Sequence, residues 1–226
     1  MLNRAARYFP ILRELRQYTD AGDGILDVGS GPVGIGEFWP HFFVGCDVSF
    51  AVPPQKPMCP VVCSGMHLPF RDRSFDVVVA SDVMEHVPPE NRPKLISEML
   101  RVARKVAIFG YPCGLTALAL DKKLRADYVS RMMAPPLWLE EHMLYPFPSE
   151  DLFRDVPAGW EMKVIPNESL EFHYWVMRME MRLSVNRLFR LGLKLFPQVI
   201  EFLLRRADRE PSYRKIFLLI RQQRVG

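Results

Sequence analysis

The chain has 226 residues, of which 49% are hydrophobic and 25% charged, and its formal net charge is +4. Such a chain can bury a full core, which excludes a fibrous or disordered protein, and its apolar runs are far shorter than the ~20 residues that span a bilayer. The amino terminus has neither a continuous apolar stretch nor a small-residue cleavage site. We therefore expect a cytoplasmic protein without a transmembrane segment.

The first predicted elements are a helix and a strand that ends in glycines. Apolar side chains recur every third position from Ala6 to Leu15, which predicts a short amphipathic helix over residues 3–18. Residues 25–28 predict a buried strand, and Gly29 and Gly31 follow it in a tight turn. Glycines there let the backbone approach a ligand closely, and a following helix would direct its amide groups at the same crevice.

A second strand is predicted over residues 44–48, where Asp47 lies twenty residues after Asp27. This spacing suits an acid that hydrogen-bonds ribose hydroxyls. Three prolines in residues 50–57 predict an irregular crossover to a third strand at 61–63. Further buried strands are predicted at 77–80 and 105–109, with a helix between them.

Strands that alternate with helices at these intervals predict parallel pairing. We expect one α/β domain over residues 1–226, with a doubly wound, mostly parallel Rossmann-like sheet of about seven strands, helices on both faces and helical insertions. The core is expected at about 20–115. The two insertions are expected at about 116–157 and 167–210, and the two late strands at about 160–166 and 213–221.

The carboxyl-terminal end of the chain is basic. Residues 182–226 contain 11 Lys or Arg and 3 acidic residues, a charge that can attract anionic lipid, nucleic acid or an acidic substrate. Leu188, Leu191 and Leu195 share one face of a predicted helix. This pattern predicts packing on the core, and the alternative is a lid or a membrane-surface helix, because the flank of the helix is basic.

Three motifs together resemble a known family. They are DVGSG at 27–31, GCDVS at 45–49 and LPFRDRSFDVVVASDVMEHVP at 68–88. This combination is similar to the class I S-adenosylmethionine-dependent methyltransferases, in particular the broad small-molecule "type 11" group. The glycines also satisfy part of a dinucleotide-binding pattern, so a nicotinamide-dinucleotide-binding protein is an alternative.

The resemblance implies S-adenosylmethionine as the cofactor. Gly29 and Gly31 would admit its methionine part, with Asp27 near the ammonium group. Asp47 would accept hydrogen bonds from the ribose. The remaining implied cofactor-binding positions are Val48, Ser64, Gly65, Met66 and Ser81. Ser64 stands where the family usually has an acid, so this neutral group should bind the adenine amino group more weakly.

The resemblance and ordinary side-chain chemistry also suggest residues for the methyl acceptor. His86 is the predicted general base, because its unperturbed pKa of ~6.5 suits proton removal from a hydroxyl. A structural role in the following turn is the alternative. Glu85, His142 and Tyr8 are predicted to contact the substrate. The sequence predicts no metal site.

We therefore expect an enzyme that transfers a methyl group to a small-molecule, sugar or lipid-like acceptor. One alternative is a domain that binds the cofactor without transferring the methyl group. An RNA methyltransferase is favoured only by the basic end, and no Asn-Pro-Pro-Tyr-type motif is present. We do not expect nucleic acid as a partner, and we expect peripheral membrane contact through the basic carboxyl-terminal helices.

Overall fold

The computed structural model describes residues 2–181 and 183–222, and these contain one seven-stranded sheet. The strands are Ile25–Val28 (β1), Phe43–Asp47 (β2), Met58–Val62 (β3), Phe75–Ser81 (β4), Ala103–Pro112 (β5), Trp160–Ser169 (β6) and Ser212–Arg221 (β7). Their order across the sheet is β3-β2-β1-β4-β5-β7-β6. The first five pair in parallel, and β7 runs antiparallel to β5 and β6. The predicted mostly parallel, doubly wound sheet is confirmed.

The α-helices of the described residues are Leu2–Tyr18 (α1), Arg92–Val102 (α2), Gly114–Ser130 (α3), Leu137–Glu141 (α4), Leu170–Glu180 (α5), Leu183–Leu195 (α6) and Pro197–Arg205 (α7). Short 3-10 helices lie at Gly34–Glu37, Pro89–Asn91 and Glu150–Phe153. Both predicted insertions are therefore helical. None of the helices in the described part of the chain combines the length and the hydropathy that crossing a membrane requires.

The two faces of the sheet are covered by different helices, as alternation along the strands requires. In β4, Val77 and Val79 belong to the same apolar cluster as Leu12 of α1. Val78 belongs to the cluster on the other face, with Met99 of α2. The core thus lies on both sides of the sheet, and the strand ends remain available for a site.

Two local predictions differ from the structure. The turn after β1 leads only into the four-residue 3-10 helix Gly34–Glu37 instead of a full helix. The third strand begins at Met58, three residues before its predicted start, because Pro60 is tolerated within it. β3 pairs with β2 alone, and an edge strand can lack a backbone donor on its open side. The irregular crossover at 50–57 is confirmed.

The prediction that Leu188, Leu191 and Leu195 pack on the core is wrong. Their relative exposures are 67%, 53% and 56%. The inward face of α6 is formed instead by Phe189 and Leu193, which pack with α1 and α5. The helix is apolar on two sides, and the sequence pattern alone does not select which side faces inward.

Candidate cofactor and acceptor site

The candidate site is a crevice at the carboxyl ends of β1, β2 and β4, where the strand order reverses beside β1. Ligands bind at this position in open α/β sheets. The crevice has two adjoining compartments: a larger one of about 610 Å³, which we call the cofactor compartment, and a smaller one of about 490 Å³, which we call the acceptor compartment. Gly29, Asp47, Asp82 and His86 line both compartments, so these residues form the boundary between the two.

The two predicted glycines of the turn have different physical roles. Both have positive φ angles, +70° at Gly29 and +54° at Gly31. A Cβ at position 29 would lie 2.4 Å from Val83 Cγ2, so Gly29 is required by packing inside the protein. A Cβ at position 31 would meet no atom within 4 Å and would enter the smaller compartment. Gly31 is therefore the glycine that leaves space for a ligand.

The two predicted carboxylates also differ. Asp27 is 2% exposed, and its Oδ2 accepts a hydrogen bond from the Ile35 amide at 2.8 Å. Burial raises its pKa to about 7. Asp27 stabilises the turn from the interior of the protein and does not line either compartment. Asp47 lines both compartments, and its Oδ2 accepts the Gly31 N–H at 2.8 Å.

The other predicted cofactor residues lie on the walls of the crevice. Val48, Ser64, Gly65 and Met66 line the larger compartment. Ser64 Oγ accepts the Met66 amide at 3.2 Å, so this serine also stabilises its own turn. Ser81 and Tyr8 line the smaller compartment. The buried Ser81 Oγ has no hydrogen-bond partner among the described residues, so it is available to a ligand.

The predicted acceptor residues are brought together by two segments. Glu85 and His86 follow β4, and His142 follows α4, with 5.2 Å between the two imidazole centroids. Glu85 is fully buried, and burial raises its pKa well above the usual value. Burial and the neighbouring His142 lower the pKa of His86. The role of His86 as a base stays a prediction.

A buried charge network beside the acceptor compartment was missed by the sequence analysis. Arg214 of β7 donates to Asp82 Oδ1 at 2.7 Å and Oδ2 at 2.9 Å, and to Glu168 Oε1 at 2.9 Å. Arg7 of α1 donates to Asp82 Oδ2 at 2.9 Å. Burial alone would raise the pKa of Asp82, but Arg214 and then Arg7 lower it below its usual range.

A second buried set orients His142. The His142 Nδ1–H donates to Asp121 Oδ2 at 2.6 Å, and the Tyr213 hydroxyl donates to the same oxygen at 2.9 Å. The Tyr213 ring stacks on His173 with 3.5 Å between centroids. One signal for this network was present in the sequence, because Arg214 and Lys215 precede the apolar run of the last strand.

Comparisons with known proteins agree with this architecture. Residues 26–109 match the family described as "Methyltransferase domain". An uncharacterized methyltransferase from Mycobacterium marinum is 39% identical over 139 residues, which cover 54% of this chain and 52% of that protein. The match therefore spans about half the length of this curated relative.

Solved structures show the same fold at low sequence identity. Phosphoethanolamine N-methyltransferase 2 of Haemonchus contortus, in complex with phosphomonomethylethanolamine and S-adenosylhomocysteine, has a TM-score of 0.53 and 17% identity. The aligned part covers 94% of this chain and 52% of that one. The YcgJ protein of Bacillus subtilis has a TM-score of 0.51 and 12% identity, with 96% and 98% of the two chains covered.

The fold of the described residues is similar to that of solved methyltransferases, including one in complex with S-adenosylhomocysteine. The family match of residues 26–109 agrees with the class I S-adenosylmethionine-dependent methyltransferases, so the resemblance found in the sequence motifs is confirmed. S-adenosylmethionine is the cofactor of this class.

Proposed function

We propose that the chain transfers a methyl group from S-adenosylmethionine, bound mainly in the cofactor compartment, to a small acceptor in the acceptor compartment. The observation that carries this proposal is the pairing of Gly31 and Asp47. The turn is open toward the crevice at Gly31, and Asp47 holds the Gly31 amide while it lines both compartments. A carboxylate at this position retains lone pairs for ribose hydroxyls.

The residues around the crevice fit this cofactor. Val48, Ser64, Gly65 and Met66 would surround the adenine, and the partnerless Ser81 Oγ is available to the methionine part. The bound cofactor supplies an electrophilic methyl group on a sulfonium. Asp27 would act indirectly, because its carboxylate holds the turn through the Ile35 amide.

The protein's contribution to the reaction would be mainly positioning. His86 lies on the boundary of the compartments, and Trp138, His142 and Tyr213 line the acceptor side. These side chains would orient an acceptor atom toward the cofactor side and exclude water. Holding two reactants in a reactive geometry can supply much of a rate enhancement.

Calorimetric titration tests the cofactor assignment. The wild-type protein should bind S-adenosylmethionine and S-adenosylhomocysteine, and Asp47→Asn should weaken both by about 10- to 100-fold, the value of a hydrogen bond to a charged group. Asp151→Asn, at an exposed surface pair, is the matched control. Failure of the wild type to bind either compound would refute the proposal, and preferential binding of a nicotinamide dinucleotide would support the alternative.

Turnover across a panel of acceptors then distinguishes an enzyme from a domain that only binds the cofactor.

Within this panel of acceptors we favour a lipid-like acceptor. α6 and α7 follow each other and pack together as a helical hairpin. Their exposed apolar side chains form a surface that we call the outer surface of the hairpin. Its members are at least 53% exposed: Leu188, Leu191, Leu195, Phe196, Val199, Phe202 and Leu203.

The surroundings of the outer surface favour an anionic membrane as its partner. Exposed basic side chains flank it: Arg187, Arg190, Lys194, Arg205, Arg206 and Arg209. An apolar helical face with a basic border binds the interface of anionic bilayers. The opposite side of the hairpin packs on Leu2, Ala5 and Phe9 of α1, the helix that brings Arg7 to the acceptor compartment. Membrane contact would therefore place this compartment close to lipids.

Vesicle sedimentation tests the membrane contact. The wild type should bind vesicles that contain phosphatidylglycerol, and the affinity should fall with added salt and with Phe202→Ser. Phe42→Ser is the matched control, because Phe42 is 68% exposed and lies far from the hairpin in sequence. Equal binding by both variants, or salt-sensitive binding to RNA but not to vesicles, would contradict the proposal. A cytoplasmic location stays a prediction.

A further inference from the structure

A cluster with the composition of a metal site borders the acceptor compartment, which His86 and His142 line. Glu85, His86 and His142 each offer one ligand atom, and these atoms all lie within 4.8 Å of one another. One carboxylate and two imidazoles are typical ligands of zinc and of related divalent transition metals. The tetrahedral zinc geometry, with bonds of about 2.0–2.1 Å, places ligand atoms roughly 3.4 Å apart. The ligand atoms would therefore have to approach each other by at most about 1.4 Å.

A buried side chain without partners indicates that this cluster binds a ligand. Glu85 has no exposed surface, and neither of its carboxylate oxygens has a hydrogen-bond partner among the described residues. His142 Nε2 lies 3.9 Å from Glu85 Oε1, which is too far for a hydrogen bond. Burial of a polar group without compensation costs several kcal/mol. A cation between these atoms would satisfy the carboxylate.

The partner of His142 fixes which nitrogen can bind. Because Nδ1–H donates to Asp121 at 2.6 Å, the lone pair is on Nε2, the atom on the Glu85 side. In metal sites the second ring N–H of a histidine ligand usually donates to a carboxylate, a backbone carbonyl or a water, and Asp121 is such a carboxylate. Asp121 is itself fixed by the Tyr213 hydroxyl.

The two ligand segments are also tied together. Arg92 Nε donates to the carbonyls of Met84 and Val87, both at 3.0 Å, on either side of Glu85 and His86. Its Nη2 donates to the carbonyl of Pro146 at 2.6 Å, four residues after His142. Arg92 therefore connects the loop after β4 to the segment after α4, and this connection preorganises the cluster.

We propose that Glu85, His86 and His142 bind one divalent transition-metal ion of the zinc class, with its open coordination positions toward the acceptor. The site departs from the sequence prediction of no metal. The assignment of the acceptor rests on the proposed function, whereas metal binding does not. A coordinated acceptor oxygen would release its proton to solvent at lower pH, because the cation stabilises the oxyanion. His86 would then act as a ligand instead of a free base.

Cobalt titration of the chelator-treated protein, without a polyhistidine tag, tests the site. We expect one Co²⁺ per chain with visible d–d absorption, displaced by one equivalent of Zn²⁺. Glu85→Gln and His142→Gln should each weaken binding at least 10-fold and change the spectrum. Asp121→Asn should weaken binding by about 10- to 100-fold, the usual effect of a residue that orients a ligand. His67→Ala, at an exposed histidine, should bind as the wild type does.

Thermal unfolding of the metal-free variants separates loss of a ligand from loss of the fold. Glu85→Gln keeps the size of the side chain and cannot introduce a buried charge, so its metal-free melting temperature should be close to that of the wild type. Zn²⁺ should raise the melting temperature of the wild type and of His67→Ala, and it should raise those of Glu85→Gln and His142→Gln less. No uptake of Co²⁺ or Zn²⁺ by the wild type, or unchanged uptake by Glu85→Gln, would refute the site. Either result would leave the S-adenosylmethionine titration of Asp47→Asn unaffected.

Discussion

The two compartments of the crevice are built in different ways. The cofactor side of the crevice is formed by strand ends that lie close together in the chain, and its main features are backbone groups and a carboxylate. One example is the hydrogen bond that the Gly31 amide donates to Asp47, which lines both compartments. The acceptor compartment is lined by buried ionic side chains from distant parts of the chain, with Arg7, Asp82 and Arg214 joined in one network. The first compartment follows from local sequence, whereas the second exists only when the whole chain is folded. We therefore expect mutations in the two compartments to have different effects.

The largest expected effect lies in the buried network. Arg214→Met removes the cation that pairs with Asp82 and Glu168, which would leave Glu168 buried and Asp82 only 15% exposed at its side chain. Loss of one partner from a buried ion pair typically lowers the free energy of unfolding by about 3–5 kcal/mol. Urea denaturation of the wild type and the variant measures this difference.

A surface pair provides the control for this measurement. Arg154 and Asp151 form a 2.7 Å ion pair with side-chain exposures of 73% and 69%, so Arg154→Met should change the free energy of unfolding little. If Arg214→Met were equally mild, the acceptor compartment would not depend on its buried charges, and the contrast between the compartments would be lost.

A smaller effect is expected from alanine substitution of the two turn glycines. Substitution at position 29 should mainly lower stability, and substitution at position 31 should mainly lower cofactor affinity. Gly29→Ala should lower the free energy of unfolding by about 2–5 kcal/mol, because left-handed strain adds to the overlap with Val83. Gly31→Ala should cost only about 1–2 kcal/mol from strain. Its Cβ points into the crevice, so cofactor affinity should fall at least 10-fold.

Denaturation and calorimetry of the same two alanine variants check this prediction. The expected pattern is a larger loss of stability at position 29 and, relative to stability, a larger loss of binding at position 31. If Gly29→Ala lowered both the free energy of unfolding and the cofactor affinity more than Gly31→Ala did, Gly31 would not be the glycine that leaves space for the cofactor.

The contrast between the compartments also explains what could be predicted from the sequence. The strands and the residues of the cofactor compartment follow local signals, namely buried runs that end in glycine or aspartate. The pairing of Arg214 with Asp82 joins residues 132 positions apart, and no local pattern specifies it. The inward side of α6 was predicted incorrectly for a related reason, because Leu188 and Phe189 both lie on apolar faces and only the tertiary contacts distinguish them.

The smallest expected effect concerns an ion pair within α2, between Arg101 and Glu98, whose side chains are 29% and 10% exposed. Arg101 of α2 donates to Glu98 Oε1 and Oε2, both at 2.9 Å, and to the carbonyls of Leu68 and Phe70. Glu98 Oε2 also accepts the Leu68 amide at 3.0 Å. The pair thus holds the LPF segment that follows the adenine positions.

The pH dependence of stability tests this pair. The hydrogen bonds from Arg101 lower the pKa of Glu98 to about 2 in the folded protein, below the ordinary 4.5. Because the folded pKa is the lower one, the stabilisation is complete above pH 4.5 and is lost as the pH falls toward 2. Glu98→Gln should therefore cost about 1 kcal/mol at pH 7, since solvent reaches the Arg101 side of the pair and Gln keeps part of the hydrogen bonding, and almost nothing at pH 2. A difference from the wild type that stayed constant from pH 7 to pH 2 would mean that Glu98 stabilises the LPF segment by shape alone, without its charge.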